Sequence, residues 1–331
     1  MTDSLSKTSI APMLDWTDRH CRYFHRLLTP NTLIYTEMVT TGAIIYGIQD
    51  FLIYTPAEHP LALQLGGSDP EAMARCAELA QQRGYDEVNI NVGCPSDRVQ
   101  NGSFGACLMA EPATVASCVK AMKAVVDIPV TVKTRLGIDE HDSDAFLYRF
   151  LDAVVDAGTD QLTLHARKAW LNGLSPKQNR EVPPLQYDRV YQAKERYPDI
   201  PIAINGGIKT FAEVEQHLQH VDSVMIGREA YQNPWLLTEF AALEEPQKRQ
   251  QTREQVALKM IDYVAAHIDS GGRAWHVVRH MLGLFQGQPG GKKWRQYLSI
   301  KGPKATDADR LIEGALEFRE NTNKQLADLT N

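Results

Sequence analysis

Ile202-Ala203-Ile204-Asn205-Gly206-Gly207 opens, and Ser223-Val224-Met225-Ile226-Gly227-Arg228 closes, the stretch whose reading decides the fold. Each half is a short apolar run that ends in a glycine turn, and Thr210 to His220 between them carries helical punctuation. This is a strand, helix, strand unit. The same unit recurs upstream, with further apolar runs at Ile10 to Leu14, Leu33 to Met38, Leu61 to Leu65, Glu87 to Val92, Val130 to Thr134 and Gln161 to His165. Helices are predicted between most of them: after Ser68-Asp69-Pro70-Glu71 and ending near Gly84, then at Pro112 to Val126, Ser143 to Ala157 and Tyr187 to Tyr197. Only the connection Tyr46 to Pro60 reads as weakly helical.

Eight strands alternating with helices predict a parallel sheet of the α/β class, and eight repeats let it close into a (β/α)8 TIM barrel. A doubly wound open sheet is the rival. The barrel is favoured because almost every strand ends in a chemically useful residue: Asp15, Glu37, Gln64, Asn91 with Cys94, Lys133 with Arg135, His165, Asn205 and Arg228. A barrel gathers them at one mouth, whereas an open sheet scatters half of them. Beyond Phe240 the pattern changes. Ala241 to Gln251 reads as a linker, Thr252-x-x-Gln255 is a capping-box signature, and helical runs follow at Val256 to Ile268, Ala274 to Phe285 and Ala308 to Phe318. The expected organisation is a barrel over residues 1–245 and a C-terminal all-helical domain of about four helices over 246–331.

Composition narrows the function. The 331 residues are 43% hydrophobic and 23% charged, which excludes disordered, collagen-like and coiled-coil chains. No apolar run approaches the ~18 residues that cross a bilayer, and the start lacks the order of a secretory signal, so a cytoplasmic protein is expected. Five cysteines with no C-x-x-C spacing indicate neither a disulfide framework nor a zinc site. Charge is uneven: residues 1–247 carry 21 Lys+Arg against 32 Asp+Glu, while 248–331 carry 14 against 9. The basic tail on an acidic protein points to an anionic partner.

Four constellations carry chemistry. Asn205-Gly206-Gly207 and Gly227-Arg228 follow the last two strands, where barrels commonly bind phosphate; together they outweigh the reading as plain turns. Cys94 lies in the polar loop Asn91-Val92-Gly93-Cys94-Pro95-Ser96, which leads to the glycine-rich Asn101-Gly102-Ser103-Phe104-Gly105-Ala106. A thiol there can act as a general acid or a nucleophile, whereas Cys76 and Cys118 fall in helices and read as packing. Lys133 and His165 suit an electron-rich ring that becomes anionic on reduction, and Lys133 equally suits a Schiff-base aldolase; position leaves both open. Basic residues interleaved with aromatics occur at Arg167-Lys168-Ala169-Trp170 through Lys177 and Arg180, and at Gly290-Gly291-Lys292-Lys293-Trp294-Arg295. Such tracks offer phosphate contacts and aromatic faces for bases.

The sequence resembles the tRNA-dihydrouridine synthases. The resemblance rests on Ala11-Pro12-Met13-Leu14-Asp15, Gln64-Leu65-Gly66-Gly67, Asn91 to Ser96, Val132-Lys133-Thr134-Arg135, His165-Ala166-Arg167, Asn205 to Ile208 and Gly227-Arg228, in order from about residue 10 to about 300. Details at Leu14 to His20, His165 to Leu171 and His280 to Gly287 are similar to the bacterial branch acting on D-loop uridines 20 and 20a in tRNA convention. The resemblance implies FMN-dependent reduction of the uracil C5=C6 bond with NADPH as electron source. Hydride would go from reduced FMN to C6 and a proton from Cys94 to C5. On this sequence Pro12, Met13 and Leu14 would line the flavin. Gln64, Lys133 and His165 would bond its ring system, and Asn205, Gly206, Gly207, Gly227 and Arg228 its phosphate. Asn91 would help hold the base, which must be flipped out of the tRNA to react. Charge adds Lys177, Arg180, Lys292, Lys293 and Arg295 as tRNA phosphate contacts. The alternatives are an FMN barrel acting on a free small molecule, a lysine aldolase, or a tRNA-binding folding helper. A monomer suffices for this chemistry.

Overall fold

A computed structural model of the chain describes residues 6–96, 102, 104–244 and 251–330. Asn101 and Ser103 of the glycine-rich loop, Pro246 of the linker and the 245/246 domain boundary lie outside the described residues. Eight parallel strands close into a barrel in chain order: β1 (Thr8–Ile10), β2 (Leu33–Thr40), β3 (Leu61–Gly66), β4 (Glu87–Val92), β5 (Val130–Arg135), β6 (Gln161–His165), β7 (Ile202–Asn205) and β8 (Ser223–Ile226). Closure is made by β1 on β8, with Ile10 beside Ile226. That pairing excludes the open sheet.

The strands lie where the apolar runs predict, except the first. β1 ends at Ile10 because Pro12 has no N–H for a ladder. The Ala11 amide still bonds the Ile226 carbonyl at 2.8 Å, and the chain then leaves the rim through Asp15 at φ 64°. The helix over Pro70–Arg83 has the predicted signals, with the Asp69 side chain accepting from the Ala72 amide and Gly84 in the left-handed region at φ 88°. Others run over Pro112–Lys123, Asp144–Asp156, Tyr187–Arg196 and Phe211–His217, while the connection Tyr46 to Pro60 follows a short helix at Thr41–Tyr46 and holds one 3-10 turn, Pro56–Glu58. Val88, Ile90 and Val92 on β4 are buried apolar residues, while Glu87, Asn89 and Asn91 alternate with them and are buried too. Cross-strand hydrogen bonds from these three to β2, β3 and β5 put the polar set inside the barrel.

The described chain forms two compact units. One comprises residues 1–15 and 32–227, the barrel, and the other residues 16–31 and 228–331. Segment 16–31 carries a helix, Arg19–Leu28, that no apolar periodicity announces. Its buried face is His20, Cys21, Arg22, Phe24, His25 and Leu28, so half of it is polar. Asp18 caps it, accepting from the His20 and Cys21 amides at 2.9 and 3.0 Å, and also pairs with Arg279 at 2.7 Å.

The rest of this unit is helical: Arg228–Gln232, Leu237–Glu244, Arg253–Lys259, Ile261–Asp269, Ala274–Val278, Gly291–Lys301 and Ala308–Thr330. The capping box at Thr252 and Gln255 is present, and the run expected as one helix over 256–268 breaks at Met260. Its core includes Phe285 and Trp294, with Trp294 Nε1 donating to the Met281 carbonyl at 2.9 Å. No helix among the described residues is long and apolar enough to cross a membrane.

Candidate active site

The C-terminal ends of β3 to β7 bring Gln64, Asn91, Lys133, His165 and Asn205 to one end of the barrel. The loop after β4 holds Cys94, which is neither exposed nor fully buried. Asn91 shapes that loop. Its Oδ1 accepts from the amides of Gly93 and Cys94 at 3.1 and 3.0 Å, and its Nδ2 donates to Gln64 Oε1 at 2.8 Å. Arg135, the last residue of β5, holds the same loop from the other side through Nε to the Gly93 carbonyl at 2.8 Å.

The electrostatics of the mouth are cationic. Burial, and then Arg135, pull the Lys133 ammonium down to about 7, with Cys94 acting in the opposite sense. Lys133 Nζ donates to Asn205 Oδ1 at 3.1 Å, and Asn205 is oriented in turn by Nδ2 donating to the Met225 carbonyl at 2.8 Å. Burial, then Arg135, Lys133, Arg167 and Arg180, hold the His165 imidazole well below its ordinary value, so it is neutral. Burial brings Arg135 to about 10. Apart from Cys94, every side chain named in these shifts is basic. A site of this kind favours an anion or a ring that gains negative charge.

Glycine shapes one wall. Gly206 and Gly207 have φ of 119° and 75°, and a Cβ on Gly206 would stand 2.6 Å from His165 Cδ2. Only glycine lets the backbone turn this close to the His165 ring. Met13 packs on the buried cluster of Ala11, Tyr35, Ala62 and Met225, while Pro12 is half-buried and Leu14 is 66% exposed. Gly227 closes β8 within the barrel unit, and Arg228 is the first residue of the helix Arg228–Gln232 in the other.

Two cysteines serve packing as expected: burial raises the thiols of Cys76 and Cys118 to about 11. The basic tracks are altered by the structure. Lys177 and Arg180 are exposed on the long loop after β6. Lys292 is exposed, Lys293 lies over the Phe318 ring at 5.3 Å, and Arg295 bonds Gln286 at 2.7 Å. Trp294, expected to offer a face for bases, is instead fully buried in the helical core. At helical spacing a single tryptophan among lysines is the anchor of its helix.

Sequence reasoning missed the supports of the site. Asn179 is fully buried and pins the long loop by bonds to Trp170 N at 2.7 Å, Trp170 O at 2.8 Å and Leu174 O at 3.2 Å. Its carbonyl also accepts from Arg135 Nη1 at 3.1 Å, so Arg135 ties the thiol loop to the loop after β6. Nothing in the local sequence marks Asn179.

Fold and site together give a barrel whose cationic mouth carries a thiol loop, an arrangement suited to an enzyme. Comparison with known proteins agrees. The dihydrouridine synthase (Dus) family model matches residues 9–318. The tRNA-dihydrouridine(20/20a) synthase of Shewanella oneidensis is 64% identical over 292 residues, covering 88% of this chain and 87% of that one. The protein of the same description from Vibrio cholerae is 59% identical over 315 residues, covering 94% and 95%. Among solved structures, 2-naphthoyl-CoA reductase in complex with 2-naphthoyl-CoA aligns with a TM-score of 0.52 at 10% identity, over 72% of this chain and 50% of that one, a likeness of fold alone. The chain belongs to the dihydrouridine synthase family, whose members are flavin-dependent enzymes.

Proposed function

We propose that the protein reduces the C5=C6 bond of D-loop uridines in tRNA, at positions 20 and 20a, with FMN as the bound flavin, NADPH as reductant and Cys94 as proton donor. The observation that carries this reading is the thiol loop, held by Asn91 and Arg135 at the rim that also holds Lys133 and Asn205. The relatives described as tRNA-dihydrouridine(20/20a) synthases supply the substrate and the positions.

The residues fit a flavin phosphate. Gly206 and Gly207, both at positive φ, turn the chain directly after β7, and the basic groups at this mouth suit an anionic ligand. Asn205, Gly206, Gly207, Gly227 and Arg228 would hold the phosphate, Gln64, Lys133 and His165 the ring, and Pro12, Met13 and Leu14 its edge. FMN bound there supplies the hydride that adds to uracil C6. Cys94 delivers its Sγ proton to C5, the thiolate regains a proton from solvent, and the uracil leaves as 5,6-dihydrouracil. Lys133 near pH 7 is poised between charge states, so negative charge arising beside it draws a proton onto Nζ. Neutral His165 serves as a hydrogen-bonding group and not as a cation. Asn91 holds the target base.

Lys177 and Arg180 in the barrel unit, and Lys292, Lys293 and Arg295 in the helical unit, would neutralise tRNA phosphates. The barrel carries the chemistry and two of these RNA contacts, and the residues after 245 the other three, in a cytoplasmic monomer. Cys94→Ala tests the central role: the variant should purify yellow and bind tRNA, while dihydrouridine formation on unmodified transcript falls by roughly a hundredfold or more. Full activity would remove Cys94 from the reaction.

A further inference from the structure

A continuous hydrogen-bond chain runs through the interior of the barrel from β4 to the thiol loop. At its base the buried Glu87 carboxylate accepts at Oε1 from Tyr35 Oη and from Thr131 Oγ1, both at 2.5 Å. Thr131 Oγ1 accepts from Asn89 Nδ2 at 2.8 Å, Asn89 Oδ1 from Gln64 Nε2 at 2.8 Å, and Gln64 Oε1 from Asn91 Nδ2 at 2.8 Å. Asn91 Oδ1 ends the chain at the amides of Gly93 and Cys94. Gln64, Asn89 and Thr131 are all within 1% of complete burial, so no solvent competes for these groups.

The direction of the chain is fixed from its loop end. Backbone amides only donate, so Asn91 must turn Oδ1 toward the loop and Nδ2 toward Gln64. Each following partner is then forced: Gln64 offers Oε1 upward and Nε2 downward, Asn89 does the same, and the Thr131 hydroxyl must give its hydrogen to Glu87. Glu87, with an oxygen that accepts two hydroxyls, terminates the run. Each carboxamide spends one N–H in the chain.

We propose that Glu87, Thr131 and Asn89 are positioning residues that set, through Gln64, the amide orientation of Asn91 and with it the placement of the Cys94 loop. They touch neither the thiol nor a ligand. The inference deepens the proposed function and rests on it only for the catalytic consequence; the ordering of the loop is a property of the chain by itself. Interior polar residues that satisfy one another completely specify one arrangement, and removing one link leaves a buried donor or acceptor unmet.

The test compares Thr131→Val, which keeps the shape and removes the hydroxyl, with Thr131→Ser, which restores it. Amide hydrogen exchange by mass spectrometry is read on the peptide containing Gly93 and Cys94, in the flavin-free and flavin-bound protein. The Val variant should exchange there roughly tenfold faster than wild type, with β5 and β6 unchanged, and the Ser variant should match wild type. On tRNA, kcat should fall by roughly tenfold in the Val variant while KM stays within about twofold, because the phosphate contacts assigned to tRNA affinity are elsewhere. If Thr131→Val does not fold, Asn89→Ser breaks the next link and is read in the same way. Unchanged exchange at Gly93 and Cys94 would overturn the proposal, as would loss spread over the whole barrel that Ser does not rescue. Faster exchange in Thr131→Val, together with a wild-type protein that forms no dihydrouridine, would refute the proposed function and leave this inference standing.

Discussion

Arg135 Nε donates to the carbonyl of Gly93 at 2.8 Å, and through Nη1 the same guanidinium reaches the carbonyls of Lys168 and Asn179 at 3.2 and 3.1 Å. One buried cation therefore fastens the loop that carries Cys94 to the loop that follows β6. The planar fork of arginine can serve three carbonyls, whereas a lysine ammonium in the same cavity falls short of most of them. Arg135→Lys should lower stability by roughly 2 to 4 kcal/mol, measured by urea melts, and reduce dihydrouridine formation more than it reduces tRNA affinity. Wild-type stability and activity in the variant would show that the fork is dispensable.

The same residues show what could be read from sequence. The eight strands were legible because each is a short apolar run closed by a turn, and the rim residues because a parallel barrel puts strand ends together. Arg135 was visible at the rim, but its carbonyl partners were not, since backbone acceptors leave no mark in a sequence. The helix Arg19–Leu28 was hidden because histidines and an arginine occupy its buried face. Gly291–Lys301 was read only as a basic track, although Trp294 and Leu298, four residues apart and fully buried, mark its core face. Glu87, Asn89 and Asn91 did carry a signal: polar residues at every second position of a strand whose other positions are Val and Ile.

Lys133 gives a dependence on pH with a definite sign. Its value near 7 in the folded protein lies below the ~10.4 of a solvated lysine. Between those values the unfolded chain binds a proton that the folded chain does not, so stability of the flavin-free protein should rise with pH from about 7 to about 10. Lys133→Met should flatten that slope. An anion bound beside Lys133 raises its pKa, so flavin phosphate binding at pH 7.5 should take up protons. Calorimetric titrations in two buffers of different ionisation enthalpy check this, and equal apparent enthalpies would contradict it.

Asp18 stabilises the helical unit by capping Arg19–Leu28 and pairing with Arg279 and His280. Burial alone would raise its carboxyl, but His280, the Cys21 amide and Arg279 outweigh it and hold the group far below the usual carboxylate range. The stability it contributes is therefore present above about pH 4 and lost as pH falls toward the folded value. Asp18→Ala should cost roughly 2 to 4 kcal/mol at pH 7. The difference from wild type should shrink below about pH 4 in denaturant melts, and a difference that grows there would be the wrong sign.

The RNA-binding assignment is tested by salt. If Lys177, Arg180, Lys292, Lys293 and Arg295 meet phosphates, the logarithm of tRNA affinity falls linearly with that of salt concentration. Each residue that is neutralised should make the slope shallower by roughly one unit or less. Filter-binding titrations of single and combined Gln variants read this directly. An unchanged slope in the combined variant would place the RNA on another face.

The most direct measurement is the visible spectrum of the purified protein under anaerobic conditions, followed through addition of NADPH and then of unmodified tRNA. The account predicts flavin absorbance that bleaches with NADPH, stays bleached alone and recovers only when tRNA is added, with dihydrouridine formed in equal amount. A protein that neither carries nor rebinds FMN, or whose bleached flavin is insensitive to tRNA, would contradict it.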